Sequence, residues 1–490
     1  MHIRGPAGRF PVGRKIPHAG TIGRSIDVGT LRIRAGANVT KCPKSVSALL
    51  SAYDAFQESL PVCEPSNATA ELGVFDGNKT TPIHRWFGFK EGFSHRLFEW
   101  IVSTYHLLPS KYDWIVDPFC GVGTTLLSAQ LALPSPGPTQ LLGVERNPFI
   151  KFVAKTKLNW FLYDIDRIKQ LLPRLLRPLD RKETGRSHLP ELSTIQNPSV
   201  FSRDTLEQLL GYRDRIRLQC EDTPEKDFFL LGWSAVIEKV SGVRRDGRAL
   251  RFVQKYDVPT VRQALSNQWL LMLRDLQTIR SRFQSDRSPV QSTVHEGDGR
   301  QLQIPGLEDN SIDLLVYSPP YINNIDYTEV YKLELWMMGL VETGEDFLAL
   351  RRKTFRSHPS VRFPRTATLD TFPNSQAHEL RSQLLDCVPQ DRNTAWRHRL
   401  FQGYIDDMVA SLTRQHAVCK PGAFAFCVVG NSMHGRKGHP IVVATDLIVA
   451  ALAQLAGFEV VQMQVTRQLR RRDHGNKFLR ETILALRKPP

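Results

Sequence analysis

The 490-residue sequence has few of the features that mark membrane or disulfide-bonded proteins. No apolar run approaches the ~18 uninterrupted residues that a membrane span needs. The best candidate, residues 441–458, is interrupted by Asp446 and Gln454 and predicts a buried amphipathic helix. None of the seven cysteines belongs to a C-x-x-C pair, which argues against a disulfide framework and a zinc motif. No apolar secretory segment opens the chain, so we expect a cytoplasmic protein without a membrane anchor or a metal site.

Acidic residues are fewer than basic ones. The 65 Lys and Arg residues against 49 Asp and Glu residues give a formal net charge of +16. A surplus of this kind favours a polyanionic partner, most simply nucleic acid. The 41% hydrophobic and 23% charged residues are typical of a globular protein. The length allows one large domain with insertions or two domains.

The strongest local pattern is a strand followed by a glycine turn and a helix. Trp114–Val116 form an apolar run typical of a buried parallel strand, which ends at Asp117-Pro118 because proline cannot donate to a sheet ladder. Gly121 and Gly123 permit a tight turn that a ligand can approach closely. The helix that follows is predicted to be capped by a residue of the Thr124–Thr125 pair. This combination predicts a cradle for a nucleotide or cofactor.

Two acids follow later predicted strands. Glu145 ends the run 141–145 and follows Gly121 by slightly more than the ~20 residues expected for an acid that binds ribose hydroxyls. The alternative is that Glu145 caps the next helix. Asp298 follows a short strand near Val294, where it could accept a hydrogen bond from the amino group of an adenine.

A second motif, Ser318-Pro319-Pro320-Tyr321, follows the apolar run 312–317. By itself this motif is compatible with an extended loop. Together, D-P-F-x-G-x-G-T-T at 117–125 and S-P-P-Y resemble the signature of the methyltransferases that modify DNA at cytosine N4 or adenine N6. The resemblance covers roughly residues 80–150 and 290–490.

The resemblance implies an α/β fold, with a Rossmann-like sheet, helices on both faces and two insertions. It implies S-adenosylmethionine as cofactor, its methionine end held by a segment upstream of the glycine turn. That segment also fits a plain capped helix. The residues expected to bind the cofactor are Lys90, Phe93, Ser94, Asp117, Phe119, Gly121, Gly123, Thr124, Thr125, Glu145 and Asp298.

The S-P-P-Y motif would carry the chemistry through Ser318, Pro319, Pro320 and Tyr321. An exocyclic amino group is a poor nucleophile because its lone pair is delocalised into the base. The Ser318 Oγ atom and the Pro319 carbonyl could each accept one amino hydrogen, while Tyr321 stacks on a base extruded from the duplex. In the resembled family, serine at the first position is typical of cytosine-N4 enzymes, and aspartate accompanies adenine-N6 enzymes.

We therefore predict a site-specific DNA methyltransferase that acts on cytosine N4. The alternatives are an adenine-N6 enzyme, an RNA base amino-methyltransferase and an idle nucleic-acid-binding module. Covalent attack on cytosine C5 is disfavoured because the chain contains no Pro-Cys dipeptide. A nicotinamide dehydrogenase is disfavoured because Leu126 stands where its turn requires a third glycine.

The first 44 residues contain a single acid, Asp27, among many arginines and lysines, and cannot bury enough apolar surface to order themselves. They could be a basic arm, a transit-like leader or a mistaken start. The domains expected are a basic, disordered arm at 1–44, the first part of the catalytic domain at 45–150, a mainly helical insertion with possible target recognition at 151–290, and the rest of the catalytic domain at 291–490, with a second insertion at 341–400.

Arginines in both insertions are candidates for contacts with DNA phosphates. They are Arg244, Arg245, Arg248, Arg351 and Arg352. The expected partners are double-stranded DNA and a cognate restriction nuclease that acts separately. A prokaryotic protein of this kind would associate with the nucleoid.

Overall fold

The computed structural model describes residues 44–133, 139–184, 189–221, 223–246, 250–283, 289–364, 366, 368–389, 394–436, 439–469 and 476–490. The predicted arm at 1–44 lies outside these residues except for Lys44, which begins the first helix. Residues 42–490 form one unit. The boundaries predicted at 150 and 290 within that unit stay predictions.

The strands are β1 Val62–Cys63, β2 Trp114–Asp117, β3 Gln140–Glu145, β4 Val243–Arg245, β5 Leu250–Phe252, β6 Ser292–Glu296, β7 Ile312–Tyr317, β8 Cys419–Gly430, β9 Ser432–Arg436, β10 His439–Val443, β11 Glu459–Gln468 and β12 Arg480–Arg487. Strands β2, β3 and β7 coincide with apolar runs from which the sequence predicts strands.

The α-helices lie between these strands. They are α1 Lys44–Glu58, α2 Arg96–Thr104, α3 Thr124–Ala132, α4 Pro148–Leu158, α5 Ile165–Leu175, α6 Arg181–Thr184, α7 Ser193–Gln196, α8 Arg203–Gln219, α9 Glu225–Ile237, α10 Val261–Arg282, α11 Tyr327–Val330, α12 Lys332–Met337, α13 Gly344–Arg352, α14 Gln376–Asp386, α15 Ala395–Val418 and α16 Thr445–Leu455. Among the described residues, no helix has the length and apolar character needed to cross a membrane.

The central sheet has eight strands in the order β1-β11-β12-β8-β7-β2-β3-β6. Neighbours from β6 to β8 are parallel, whereas β12 runs antiparallel to β8 and β11. After β2 the chain moves outward to β3 and β6, then returns to β7 on the other side of β2. The strand order therefore reverses between β2 and β7. In open α/β sheets, ligands bind at the carboxyl ends of the strands at such a switch point.

Helices cover both faces of this sheet, as predicted. Alternate residues of β7 point to opposite faces: Leu314 and Val316 belong to one apolar core, and Leu315 and Tyr317 to the other. All four have no exposed surface (0%), as expected for a parallel strand covered on both sides. Helices α2, α3 and α4 contribute to the first core, and α1, α14, α15 and α16 to the second.

The segment 441–458 differs from the single helix that its apolar pattern predicts. Ile441, Val442 and Val443 belong to β10 and pair antiparallel with β9. The helix begins only at Thr445. The β-branched residues of the first part fit a paired strand better than a helical turn, and a short apolar run does not distinguish the two.

Candidate active site

The turn after β2 requires glycine at two positions. Gly121 and Gly123 have φ angles of +51° and +81°, in the left-handed region that residues with a Cβ atom rarely adopt. The Cys120 N–H donates to the Val144 carbonyl (3.0 Å), which ties the turn to β3. Gly143 on β3 allows this approach, since a Cβ atom there would lie 2.8 Å from the Cys120 Sγ atom.

The two threonines after the turn do not cap the helix, so that prediction was wrong. Helix α3 begins at Thr124, and its N-cap residue is Gly123, which has no side chain and whose carbonyl accepts a hydrogen bond from the Leu127 N–H (2.9 Å). Thr125 is buried and its hydroxyl donates to the Val316 carbonyl of β7 (3.2 Å). Thr125 therefore connects the glycine turn to the strand that leads to Ser318.

Glu145 holds the turn directly. Its carboxylate accepts hydrogen bonds from the Gly121 N–H (3.0 Å) and from the Asn147 N–H (2.8 Å). The N-cap of α4 is Asn147, whose Oδ1 atom accepts from the Phe149 N–H (3.0 Å). Glu145 is therefore not the helix cap. Burial raises its pKa to about 7, against the opposing effect of these backbone hydrogen bonds.

Asp117 stabilises the turn from inside the protein. Its Oδ1 atom accepts a hydrogen bond from the Phe119 N–H (3.0 Å), and burial raises the pKa of its carboxyl group to about 7. Only 1% of Asp117 is exposed, so the residue shapes the turn from beneath the surface that a ligand would contact.

Asp298, at the end of β6, meets the same turn. A Cβ atom on the next residue, Gly299, would lie 2.1 Å from the Pro118 carbonyl, so the two loops are in direct contact. The Asp298 carboxylate forms ion pairs with Arg300 (2.7 Å) and Arg146 (2.9 Å). Although burial opposes the effect, these arginines hold the pKa of Asp298 below its ordinary value. Asp298 is therefore a fixed negative charge beside the turn.

Ser318 directly follows the last residue of β7, and the neighbouring strand orients its hydroxyl group. The Oγ–H group donates to the Val428 carbonyl of β8 (2.9 Å). Because the hydroxyl hydrogen is used in this bond, the oxygen lone pairs remain available to accept hydrogen bonds. Ser318 is partly exposed, and Pro319 follows it as a buried residue.

Tyr321 is directed towards β8 and β12. Its hydroxyl group donates to the Glu481 Oε1 atom (3.2 Å), and its ring packs on Gly430, where a Cβ atom would lie 2.7 Å from the Tyr321 ring. Burial raises the pKa of the Tyr321 hydroxyl. Stacking of this ring on a target base stays a prediction.

The two sequence motifs meet in one cleft at the switch point. The predicted site residues that line it are Phe119, Gly121, Glu145, Asp298, Ser318, Pro319 and Pro320. The lining also includes residues that the sequence did not suggest. Those with aromatic or titratable side chains include Phe89, Glu91, Arg146, Tyr327, Phe355 and His358.

The upstream segment reaches this cleft through residues next to the predicted ones. Phe93 and Ser94 are buried, and the Lys90 Nζ atom donates to the Arg245 carbonyl (2.9 Å). The cleft is lined instead by Phe89 and Glu91.

Phe89 and Glu91 sit against the short helices that follow the S-P-P-Y motif. The Phe89 ring stacks on Tyr331 with centroids 5.9 Å apart, and on Tyr327 at 6.3 Å. Burial raises the pKa of Glu91, whose Oε2 atom accepts from the Tyr331 hydroxyl (3.5 Å). The residues upstream of the glycine turn and those after Ser318 therefore form one wall.

Two of the predicted phosphate contacts are occupied within the protein, contrary to prediction. Arg245 forms ion pairs with Glu238 (2.8 Å) and with the fully buried Glu334. Arg351 pairs with Asp326 (2.8 Å). A guanidinium group committed to internal carboxylates stabilises the fold rather than binding a phosphate. Arg244 and Arg352 are exposed, and Arg248 lies outside the described residues.

The described part of the chain contains no cluster of three His, Cys, Asp or Glu side chains that could hold a metal ion.

Comparison with known proteins identifies relatives that extend over most of the chain. The type II methyltransferase M.BsoBI of Geobacillus stearothermophilus is 23% identical over 479 residues, covering 87% of this chain and 89% of the relative. The chain resembles type II methyltransferases along most of its length. M.AvaI of a Nostoc strain is 24% identical over 453 residues, covering 85% of this chain and 88% of that protein.

The comparisons with family models and with solved structures give no comparable similarity. No family model matches the chain. A solved SAM-dependent methyltransferase from Methanosarcina mazei is 10% identical, with a TM-score of 0.26, and covers 79% of this chain and 97% of its own. That TM-score is below the range that indicates a shared fold.

Proposed function

We propose that this chain is an S-adenosylmethionine-dependent DNA methyltransferase that methylates the N4 amino group of cytosine within a short specific sequence. The observation that carries the proposal is the meeting of Ser318 and the Gly121 turn in one cleft at the switch point of the sheet. The extended similarity to type II methyltransferases supports methyl transfer to DNA. Those relatives also suggest a restriction nuclease of matching specificity that acts separately.

The groups that line the cleft are suited to S-adenosylmethionine. Gly121 leaves the turn open to a ligand, and the Glu145 carboxylate beside it keeps lone pairs that can accept from ribose hydroxyls. Asp298 would accept from the adenine amino group. Glu91, a carboxyl group lining the same cleft, is suited to the ammonium group of the methionine end. When bound, the cofactor supplies a methyl group that its sulfonium already activates.

Ser318 would position the amino group of the target base. Its Oγ atom, held by the bond to the Val428 carbonyl, accepts one amino hydrogen, and the Pro319 carbonyl accepts the other. These two bonds direct the nitrogen lone pair towards the methyl group as the nitrogen becomes tetrahedral, and positioning of this kind supplies much of the acceleration. Since a neutral serine is not a strong base at neutral pH, the released proton leaves to water.

The choice of cytosine rests on the serine at position 318. In the family that the motifs resemble, S-P-P-Y is typical of cytosine-N4 enzymes. Adenine N6 is the alternative that the same cleft could serve, because both targets present an exocyclic amino group next to a ring nitrogen.

Mass spectrometry of nucleosides tests the proposal. Plasmid DNA and total RNA are incubated separately with the protein and S-adenosylmethionine carrying a deuterated methyl group. We expect labelled N4-methylcytosine in DNA only. Labelled N6-methyladenine would assign the enzyme to the alternative base, and label in RNA alone would refute DNA as substrate. The Ser318→Ala protein is the control for contaminating activity.

A further inference from the structure

The second insertion forms a concave surface beside the catalytic cleft. This surface, the basic groove, lies between the segment 356–364 and the first turns of α15 and encloses about 640 Å³. The residues that define it are Arg356, Arg362, Phe363, Trp396, His398 and Arg399.

The basic groove carries two arginines that no acidic side chain of the described residues neutralises. Of the described residues that line it, three are arginines, two are histidines and none is acidic. Arg362 and Arg399 are exposed, and within the described ranges neither has an acidic partner. Arg356 is different, because it pairs with Asp407 (2.8 Å) and belongs to the wall.

The basic groove adjoins the catalytic cleft. His358 lines both cavities. A chain of ion pairs joins them as well: Arg300 bridges Asp298 of the cleft (2.7 Å) and Asp407 (2.9 Å), and Asp407 holds Arg356. The wall of the groove is therefore fixed to the end of the cleft where Asp298 lies.

A cleft on the side of the first insertion is less suited to a polyanion. It encloses about 510 Å³ between residues 87–91 and the hairpin of β4 and β5, and two acids, Glu91 and Glu238, line it. Most of its lysines donate hydrogen bonds to other groups of the protein. Lys90 donates to the Arg245 carbonyl, and Lys239 donates to the Gln268 Oε1 atom (2.8 Å).

We propose that the basic groove binds the sugar-phosphate backbone of duplex DNA next to the extruded target base, with Arg362 and Arg399 contacting phosphates. The proposal rests on the proposed function and assigns DNA contact to the second insertion. An enzyme that acts on a base in a duplex must extrude it and hold the backbone beside it. A groove that adjoins the reaction cleft, with two exposed arginines that have no acidic partner among the described residues, meets this requirement.

The test is DNA binding by the full-length Arg362→Ala/Arg399→Ala variant. Affinity for labelled plasmid fragments is measured by fluorescence anisotropy over a range of salt concentrations, without cofactor. Each lost phosphate contact reduces the slope of log K against log salt by about 0.9, so we expect a decrease of about 1.8. The KM for DNA should rise about tenfold or more while kcat at saturating DNA and cofactor affinity stay unchanged.

Matched variants separate this effect from general charge loss. Arg262→Ala/Arg282→Ala removes two exposed arginines from α10 and should keep the wild-type slope. Arg362→Lys/Arg399→Lys keeps the charge and should restore most of the slope, which excludes a folding defect as the cause. Arg244→Ala tests the competing cleft and should have a smaller effect.

The outcomes distinguish the two proposals. If the wild type methylates DNA and the groove variant binds plasmid fragments with an unchanged slope, the groove assignment is wrong and the proposed function stands. An equal loss of slope in the α10 variant also overturns the assignment. A wild type that transfers no methyl group to DNA overturns the proposed function.

Discussion

Replacement of Ser318 by alanine should remove most methyl transfer and leave cofactor binding intact. The Oγ atom is fixed by its 2.9 Å bond to the Val428 carbonyl, so its acceptor lone pairs need no reorganisation when a base arrives. Loss of one preorganised hydrogen-bonding group at a reaction centre costs about 2.7–4 kcal/mol, or ~10²–10³-fold in kcat. Loss of the bond to Val428 costs only about 1 kcal/mol of stability, which should leave the fold intact.

The assay is transfer of a labelled methyl group to plasmid DNA at saturating cofactor, with cofactor affinity measured by calorimetry. Ser432→Ala is the matched control, since its hydroxyl group also donates to a backbone carbonyl, that of Ile322, over 2.9 Å. Its kcat should stay near the wild-type value. Undiminished transfer by Ser318→Ala, or an equal loss in both variants, would refute the role assigned to Ser318.

Four further predictions concern the cofactor end of the cleft. Gly121→Val places a β-branched side chain at a φ angle of +51° next to the Phe89 ring and should weaken cofactor binding at least tenfold by calorimetry, whereas Gly344→Val, in open space on α13, should not. Cofactor affinity should fall as the pH drops through about 7, because protonation of Glu145 removes an acceptor for the ribose hydroxyls. Calorimetry should show that the affinity of Glu145→Gln depends less on pH than that of the wild type. The stability of the protein without cofactor should change with pH in the opposite sense. The raised pKa of Glu145 contributes stability that is fully present at pH values below 4.5, the ordinary pKa of the group, and is lost as the pH rises through about 7. Thermal unfolding at several pH values measures this change. Lys157→Met removes the buried amino group that donates to the His84 (2.9 Å) and Phe87 (3.1 Å) carbonyls. This substitution should lower the free energy of unfolding by about 1–3 kcal/mol and weaken cofactor binding, because the segment that carries Phe89 is displaced. An unchanged denaturant midpoint would contradict the prediction.

The upstream segment shows why a motif alone does not identify the residues that line a site. The resemblance assigned Lys90, Phe93 and Ser94 to the cofactor, and the structure brings Phe89 and Glu91 to the cleft. The direction of each side chain depends on the backbone path between Trp86 and α2, which no local pattern specifies. Arg245 gives the same lesson, since an arginine predicted to contact DNA phosphates is paired with the buried Glu334.

The sequence by itself determined the two turns and the strands that lead to them. Apolar runs ended by Asp117-Pro118 and Ser318-Pro319, and glycines at 121 and 123, are local features whose steric effects do not depend on distant residues. Only the tertiary structure decided that β2 and β7 are neighbours, because strand order is set by the packing of helices on both faces of the sheet. It also decided which arginines are free, since their ion pairs join residues far apart in the chain.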